Sequence, residues 1–306
     1  MQEIGLIGLG RMGANMARRL ARAGFKLAVC NRTAEVAHKL AEEERNLRAV
    51  DSYAALVASL PAPRIVWLML PAGEATATAL HQLAGLLSAG DLLVDGANAY
   101  YQDSMRHARE LADQGIEFVD AGVSGGVWGL DNGYALMLGG APGSVARLKP
   151  LIEALAPGAE RGWVHCGPAG AGHFAKMVHN GIEYGMMQAL AEGLALMKSK
   201  TEFGFDLAEV AEAWRHGSVV RSWLLDLTAE VLKQDQALDA IQPYVADSGE
   251  GRWTALEAIN QRVPAPVMSL ALMMRYASQG SNDYPAKLLA MMRNAFGGHK
   301  VESGSR

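Results

Sequence analysis

Short apolar runs of strand length alternate with longer amphipathic stretches of helical length through the first half of the chain. The apolar runs lie at 3–7, 26–30, 64–70, 91–94 and 117–120. A further strand is predicted over 134–138 and a further helix over 144–156. This alternation predicts a mostly parallel sheet whose strands are joined by crossover helices.

The second half of the chain is predicted to be helical throughout. After the glycine-rich segment 167–172, no alternating run with hairpin signals occurs. Asp206 with Glu209 resembles a capping box that opens a helix. The other helices are predicted over 173–199, 219–233, 253–261, 267–277 and 285–296. We therefore expect two domains, an α/β domain over 1–168 and an all-α domain over 169–306.

A glycine-rich turn follows the first predicted strand and opens the first helix. The segment Gly8-Leu9-Gly10-Arg11-Met12-Gly13 matches the pattern G-x-G-x-x-G. In this context Gly8 allows a tight turn, Gly10 lets the backbone approach a pyrophosphate, and Gly13 lets helix and strand pack closely. The N–H groups of the helix N-terminus would then face the phosphates. Methyltransferases and structural turns share such glycines, but the strand before and the helix after favour a Rossmann-type dinucleotide-binding domain.

The end of the second strand indicates which dinucleotide is bound. NAD-binding domains usually carry an acidic residue there, which binds the ribose hydroxyls. This chain has Asn31, Arg32 and Thr33 instead. These side chains donate hydrogen bonds, and the arginine adds a positive charge, so they suit a 2′-phosphate. The segment therefore predicts NADP, with NAD used at lower efficiency; an exposed turn that happens to contain an arginine is the alternative.

A stripe of polar side chains marks the long helix predicted over 173–199. Lys176, His179, Asn180 and Glu183 recur at spacings of three and four, which places them on one helical face with Tyr184 at its edge. The surrounding residues are apolar or small, and buried charges are costly unless they serve each other or a ligand. A solvated helix face is the alternative. Gly181 and Gly185 weaken the helix, which makes sense where a ligand or backbone approaches closely. The stripe favours an active site.

Composition narrows the classes of function. The chain has 306 residues, half of them hydrophobic, and a net charge of −4, so neither nucleic acid nor an anionic membrane is expected as a partner. Cys30 and Cys166 have no metal or redox spacing and suit a reducing compartment, so we expect a cytoplasmic protein. We expect no signal peptide, membrane span or metal site.

Taken together, these motifs resemble the 6-phosphogluconate dehydrogenases, within the wider superfamily of β-hydroxyacid dehydrogenases. The superfamily is indicated by Gly8–Gly13, by the segment Asp120–Gly126, and by Lys176 with Asn180. The narrower assignment rests on the segment Lys176–Tyr184, whose sequence is KMVHNGIEY, and on Phe296-Gly297-Gly298-His299. The length resembles the short form of the family, which lacks a duplicated helical region.

The resemblance implies oxidative decarboxylation of 6-phosphogluconate to ribulose 5-phosphate. Lys176 matches the general base that takes the proton of the C3 hydroxyl, and Glu183 matches the acid that protonates the enediol. Asn98 matches an asparagine on the cofactor side. The positions that match substrate-binding residues are Ser124, Gly125, Gly126, His179 and Asn180 for the carboxylate and hydroxyls, and Tyr184, Arg252, Arg275, Arg293 and His299 for the phosphate.

In the family, the equivalents of Arg293 and His299 come from a neighbouring subunit, so a homodimer or homotetramer with shared active sites is expected. Two departures from the family pattern bear on ligand binding. Arg252 stands where many members have lysine, which keeps the charge but changes the geometry. Val36 stands where some NADP-dependent members have lysine, so Asn31, Arg32 and Thr33 must supply the preference for NADP. The alternatives are another β-hydroxyacid dehydrogenase that does not decarboxylate, such as a 3-hydroxyisobutyrate or tartronate semialdehyde type, and a non-catalytic NADP-binding protein.

Overall fold

The computed structural model describes residues 3–280, 283–297 and 300. The chain divides into two compact units, Met1–His179 and Asn180–Arg306. The division falls inside a long helix, Ala171–Ser199, which contributes to both units. The predicted domain boundary at residue 168 stays a prediction.

The first unit is built on an eight-stranded sheet with the order β3-β2-β1-β4-β5-β6-β7-β8. All neighbouring strands run parallel except β6 and β7, which pair antiparallel. The strands are β1 (Glu3–Ile7), β2 (Lys26–Cys30), β3 (Leu47–Ala49), β4 (Ile65–Leu68), β5 (Leu92–Asp95), β6 (Glu117–Ser124), β7 (Ala135–Gly140) and β8 (Trp163–Gly167). The predicted fold class, a Rossmann-type sheet domain followed by helices, is confirmed.

Helices cover both faces of this sheet. They are α1 (Arg11–Arg22), α2 (Ala34–Glu43), α3 (Tyr53–Ser59), α4 (Glu74–Ala84), α5 (Tyr101–Ala112), α6 (Gly129–Asn132), α7 (Pro142–Leu155) and the start of α8 (Ala171–Ser199). One buried cluster joins the sheet to α1, α2 and α7, and a second joins it to α3, α4 and α5. Because both faces are covered, the inner strands are buried at nearly every position.

Two strands were not predicted, and several boundaries differ from the predictions. β3 has only three residues and includes the exposed Arg48. β8 alternates between half-buried and exposed residues. Both lie at the edges of the sheet, where pairing with a neighbour, rather than an apolar run, defines the strand. β6 runs on to Ser124, four residues further than predicted, because it pairs with β7 along Val119–Ser124.

The second unit is helical among its described residues, as predicted. Its helices after α8 are α9 (Leu207–Arg215), α10 (Trp223–Gln234), α11 (Glu250–Gln261), α12 (Pro266–Ser278) and α13 (Asp283–Gly297). Asp206 caps α9 by accepting a hydrogen bond from the Glu209 N–H. α10 begins four residues later than predicted, because Ser222 caps it through the N–H of Leu225.

The expectation that the helix over 173–199 is buried is correct only for its first half. Beyond Gly185 most of its residues are exposed, including Met186, Met187 and Leu196. The buried cluster of the second unit is small, and it joins α8 to α9 and α10. A single copy of the chain therefore leaves much apolar surface of this unit uncovered.

The packing of α1 on β1 predicts that substitution to alanine is costly at one glycine of this turn and nearly neutral at another. A Cβ at Gly13 would overlap the carbonyl oxygen of Gly8, whereas a Cβ at Gly10 would meet no atom within 4 Å. Gly13→Ala should destabilise the protein by about 1–3 kcal/mol, the usual cost of overpacking. Gly10→Ala should change stability by less than about 0.5 kcal/mol. Urea unfolding of both variants measures this difference, and equal stabilities would contradict the packing described.

Candidate active site

The turn between β1 and α1 has the form that a dinucleotide pyrophosphate requires. Gly8 has a φ of +94°, which favours glycine, and its N–H donates to the carbonyl of Cys30 (2.9 Å). Gly10 is exposed, and α1 begins after it without a side-chain cap. The first N–H groups of α1 thus have no side-chain cap, which suits an anion, and a Cβ at Gly10 would meet no atom within 4 Å. The residues of the turn fit the cofactor.

Of the residues that follow β2, Asn31 has a structural role, whereas Arg32 and Thr33 are exposed. Asn31 Oδ1 accepts from the N–H of Leu9 (3.0 Å), and Nδ2 donates to the carbonyl of Thr33 (3.1 Å). Asn31 therefore ties the two loops together, a role that the sequence did not predict. Arg11, Arg32 and Thr33 are exposed. The positive charge predicted for a 2′-phosphate is present at the surface of this loop.

Lys176 lies on the buried face of α8, close to the middle of β6. Its side chain is only 5% exposed, and its Cβ and Cγ pack directly over Gly122. A Cβ at Gly122 would overlap that of Lys176, so only glycine lets the helix approach this closely. Gly172, one turn earlier, packs in the same way against the backbone of Met137 and Asp120.

A buried carboxylate binds the N-terminus of α8. Asp120 Oδ1 accepts from the N–H of Gly170 (2.5 Å), and Oδ2 accepts from the N–H of His173 (2.7 Å). Burial raises the pKa of this carboxyl to about 6, although these N–H groups oppose the rise. Asp120 thereby fixes the first turn of the helix that carries Lys176.

The loop after β6 is hydrogen-bonded to α1. Gly125 and Gly126 adopt positive φ values, and the half-buried Ser124 precedes them. The next residue, Val127, accepts a hydrogen bond at its carbonyl from Asn15 Nδ2 of α1 (3.2 Å). Arg19 of α1 adds bonds to the carbonyls of Leu130, Ala154 and Ala156, each at 2.9 Å. The helix that follows the predicted cofactor turn is thus hydrogen-bonded to the segment that follows the predicted substrate loop.

Asp95 ends β5, three residues before the half-buried Asn98. Its Oδ1 accepts from the N–H of Ala97 (3.0 Å), and it pairs in register with Asp120 of the adjacent strand. Burial, together with the nearby charge of Asp120, raises the pKa of Asp95 to about 7. Two buried carboxyls therefore lie side by side on neighbouring parallel strands, Asp95 at the end of β5 and Asp120 midway along β6.

In the second unit, three predicted phosphate ligands occur around one loop. Arg275 lies over the ring of Tyr184, with Cζ 3.5 Å from the ring centroid, and donates to the carbonyl of Ala246 (3.1 Å). Arg252 forms an ion pair with Asp247 (3.0 Å). Tyr184 is buried, which raises its pKa, and a Cβ at Gly251 would press against its ring.

The sequence did not reveal two further members of this cluster, Ser248 and Glu250. The Tyr184 hydroxyl lies 3.1 Å from Ser248 Oγ and 3.3 Å from Glu250 Oε2. Ser248 Oγ donates to the same Glu250 oxygen (2.5 Å). They are 64 and 66 residues from Tyr184, so no local pattern connects them. Their position next to Arg252 in the sequence was the available signal.

The remaining predicted residues occupy different environments. Asn180 is buried on α8, and His179 and Glu183 are half-buried there. Arg293 is exposed on α13 and forms no ion pair with another described residue. His299 lies outside the described residues.

Comparison with protein families matches both parts of the chain. Residues 3–167 match the model described as the NAD binding domain of 6-phosphogluconate dehydrogenase. Residues 172–283 match the model of the 6-phosphogluconate dehydrogenase C-terminal domain. The chain belongs to the 6-phosphogluconate dehydrogenase family. The resemblance inferred from the sequence is confirmed, and the first unit contains an NAD(P)-binding domain.

Relatives within the family agree with this assignment over nearly the whole chain. The Bacillus subtilis (strain 168) protein YqeC, whose name proposes a 6-phosphogluconate dehydrogenase, is 38% identical over 98% of this chain and 99% of its own. The NAD(+)-dependent, decarboxylating enzyme of Haloferax volcanii is 36% identical over 98% of both chains. The solved 6-phosphogluconate dehydrogenase of Plasmodium falciparum has a TM-score of 0.83 at 30% identity, covering 99% of this chain and 67% of its own.

Two searches of the described residues concern other classes of site. No helix among them is long and apolar enough to span a membrane. No group of three or more His, Cys, Asp or Glu side chains among them is arranged to hold a metal ion.

The raised pKa of the buried Asp95 predicts that the stability of the protein depends on pH. Its pKa is raised to about 7 from an ordinary value near 4, so the stability it contributes is complete below pH 4 and is lost as the pH rises through 7. Asp95→Asn should therefore gain stability relative to the parent protein as the pH rises from 5 to 7.5, by about 2–3 kcal/mol.

Urea unfolding at several pH values measures this gain. The parent-to-variant difference isolates Asp95 from His173, whose lowered pKa acts in the opposite sense at lower pH. The exposed Asp113, changed to Asn, serves as the control. Parallel stability curves for Asp95→Asn and the parent protein would contradict the prediction.

Proposed function

We propose that this enzyme oxidises and decarboxylates 6-phosphogluconate to ribulose 5-phosphate and CO2, and that it prefers NADP to NAD. The observation that carries the proposal is the placement of Lys176. It is buried on α8 and packs over Gly122 of β6, two residues before Ser124 at the end of that strand. The membership of the chain in the 6-phosphogluconate dehydrogenase family supports the same reaction.

In the proposed reaction, Lys176 acts as the general base. Desolvation favours a neutral amine, which can accept the proton of the substrate's C3 hydroxyl. A bound oxidised nicotinamide would supply the acceptor for the hydride of C3. The 3-keto acid that results loses its C1 carboxylate as CO2, and the electron pair of the broken C1–C2 bond forms an enediol, whose new hydroxyl takes back the proton held by Lys176. Glu183 then delivers a proton to the carbon that becomes C1 of the product, while that hydroxyl returns its proton to Lys176.

The substrate's two anionic ends require different residues. Ser124, Gly125, Gly126, His179 and Asn180 are proposed to bind the carboxylate and hydroxyls. The phosphate is assigned to Tyr184, Arg252 and Arg275, since a guanidinium forms paired hydrogen bonds with phosphate oxygens. Asp247 pairs with Arg252, and Ser248 and Glu250 hydrogen-bond with Tyr184. Arg275 is held by the carbonyl of Ala246 and the ring of Tyr184.

A second copy of the chain is proposed to complete the phosphate site with Arg293 and His299. Exposed apolar side chains on α12 and α13 support a homo-oligomer, among them Val267, Leu270, Met273, Leu289 and Met291. Surfaces of this kind usually mark an interface in a soluble protein. The choice between dimer and tetramer is left to measurement of the mass in solution.

The preference for NADP rests on the positive charges of Arg11 and Arg32 and on the absence of a carboxylate from the positions 31–33 that directly follow β2. Relatives in the family differ in this respect. The Haloferax volcanii enzyme is named NAD(+)-dependent, whereas the Plasmodium falciparum enzyme was solved with NADP+ as its cofactor. The ratio of kcat/KM for the two cofactors decides the point.

The test is an absorbance assay at about 340 nm with 6-phosphogluconate, run with each cofactor and with trapped CO2. Lys176→Met should lower kcat by about 1,000-fold or more, since a positioned base contributes 10²–10⁴-fold. NADP binding, followed by fluorescence, should stay unchanged, which shows that the variant is folded. Full turnover in Lys176→Met would exclude Lys176 as the base.

Glu183→Gln distinguishes decarboxylation from a simple dehydrogenase reaction. Glutamine cannot deliver a proton, so turnover and CO2 release should fall together by about 100-fold. Glu192→Gln, an exposed change on the same helix, is the control. Cofactor reduction without CO2 in the parent enzyme, with Glu183→Gln unaffected, would favour a β-hydroxyacid dehydrogenase that does not decarboxylate.

A further inference from the structure

His173 is a buried titratable side chain to which the proposed reaction gives no role. It lies in the first turn of α8, three residues before Lys176, and only 1% of it is exposed. An imidazole is costly to bury unless its polar atoms are hydrogen-bonded. An apolar residue would fill this place in the helix at a lower free-energy cost. The interactions of the imidazole ring are therefore expected to have a structural role.

The ring joins α8 to α5. His173 Nδ1 lies 2.7 Å from Ser104 Oγ, and both side chains are buried. The backbone N–H of His173 donates to Asp120 Oδ2 (2.7 Å). The backbone groups of Ala97, Ala121 and Asp95 also interact with the ring and favour its protonated form. Nε2 itself makes no hydrogen bond of ordinary geometry with a described residue.

These surroundings define the protonation state of the ring. Burial lowers the pKa of His173 to about 4, so the imidazole is neutral near pH 7. A neutral imidazole has one N–H and one acceptor nitrogen, and the Ser104 hydroxyl can donate or accept, so His173 Nδ1 and Ser104 Oγ share one hydrogen bond with either tautomer. The ring is therefore a fixed connector between α5 and α8 and does not act as an acid or base at neutral pH.

The residues that contact His173 lie close in the chain to residues with proposed roles toward both the cofactor and the substrate. Ala97 is adjacent to Asn98, the predicted asparagine on the cofactor side, and Ser104 lies on α5, which begins just after that loop. Asp120 and Ala121 lead along β6 to Gly122, over which Lys176 packs. A displacement at His173 would move the start of α8 relative to the loop that carries Asn98.

We propose that His173 and Ser104 form a positioning pair, which fixes Lys176 relative to the nicotinamide-side loop 96–98. The pair acts through Lys176 and does not touch the reacting atoms. This inference rests on the proposed function for its kinetic consequences, but the position of the Lys176 amine can be measured without turnover.

The first arm of the test is kinetic. Ser104→Ala removes one hydrogen-bond donor and should lower kcat about 10-fold, with both KM values changed less than about 2-fold. With 3-deuterated 6-phosphogluconate, the isotope effect on kcat should increase, because misalignment raises the barrier to hydride transfer itself. Ser144→Ala, another buried serine of the first unit, controls for general loss of packing and should leave kcat unchanged.

A matched pair of histidine variants tests the geometry of the bond. His173→Asn keeps a hydrogen-bonding atom close to the position of Nδ1 and should retain kcat within about 3-fold. His173→Leu keeps only volume and should match Ser104→Ala. The double variant Ser104→Ala/His173→Leu should lose no more than either single change, because residues that act through one interaction are not additive.

The second arm needs no turnover. Reaction of the protein with acetic anhydride, quantified for each lysine by mass spectrometry, should proceed at least about 3-fold faster at Lys176 in Ser104→Ala and His173→Leu, since a displaced α8 exposes the amine. Lys149 and Lys200 should react at unchanged rates. An inactive parent enzyme would refute the proposed function, while this arm would still decide the inference. Unchanged labelling, kcat and isotope effect in Ser104→Ala would overturn it, even with a lowered Tm.

Discussion

The site in the first unit depends on a buried carboxylate at a helix N-terminus. The buried carboxylate of Asp120 accepts hydrogen bonds from the N–H groups of Gly170 and His173. These N–H groups at the start of the helix have no partner within the helix. The partial positive charge of the helix end offsets part of the cost of burying the carboxylate. Through this interaction β6 determines where α8 begins, and the position of every side chain on the first turns of α8 follows from it.

Close approach of helix and sheet is the second constraint, and glycine makes it possible. Gly122 on β6, Gly139 on β7 and Gly172 on α8 each lie where a Cβ would collide with backbone or with Asp120 and Lys176. The absence of side chains at these three positions brings α8 within hydrogen-bonding distance of Asp120. The same closeness excludes water from Asp95, Asp120 and His173, which explains why their pKa values depart so far from ordinary ones.

The sequence predicted those parts of the fold in which local pattern and tertiary structure agree. The inner strands are apolar because both faces of the sheet are covered, and the glycines of the first turn have roles set by their own backbone. β3 and β8 escaped prediction because their partners across the sheet define them. The polar stripe on α8 was visible because helical spacing is local, whereas Ser248 and Glu250 reach Tyr184 only through tertiary folding.

His173 shows a different limit of sequence reasoning. In the sequence it is one polar residue at the start of a helix, where an exposed position is common. Its burial depends on Ser104, which lies 69 residues earlier, and on the carbonyls of two strands. Asn31 is a similar case, since its predicted role toward the cofactor did not include the hydrogen bonds that tie its loop to Leu9 and Thr33.

The continuity of α8 has a consequence for the geometry of catalysis. Lys176 and Glu183 belong to one unbroken helix. Their Cα atoms are therefore held about 10 Å apart along the axis, and nearly in line on one face, by the pitch of the helix alone. The backbone hydrogen bonds of the helix thus fix the distance between the proposed base and the proposed acid. Insertion of a single residue between them would rotate one by about 100° away from the other, whatever else in the protein stayed the same.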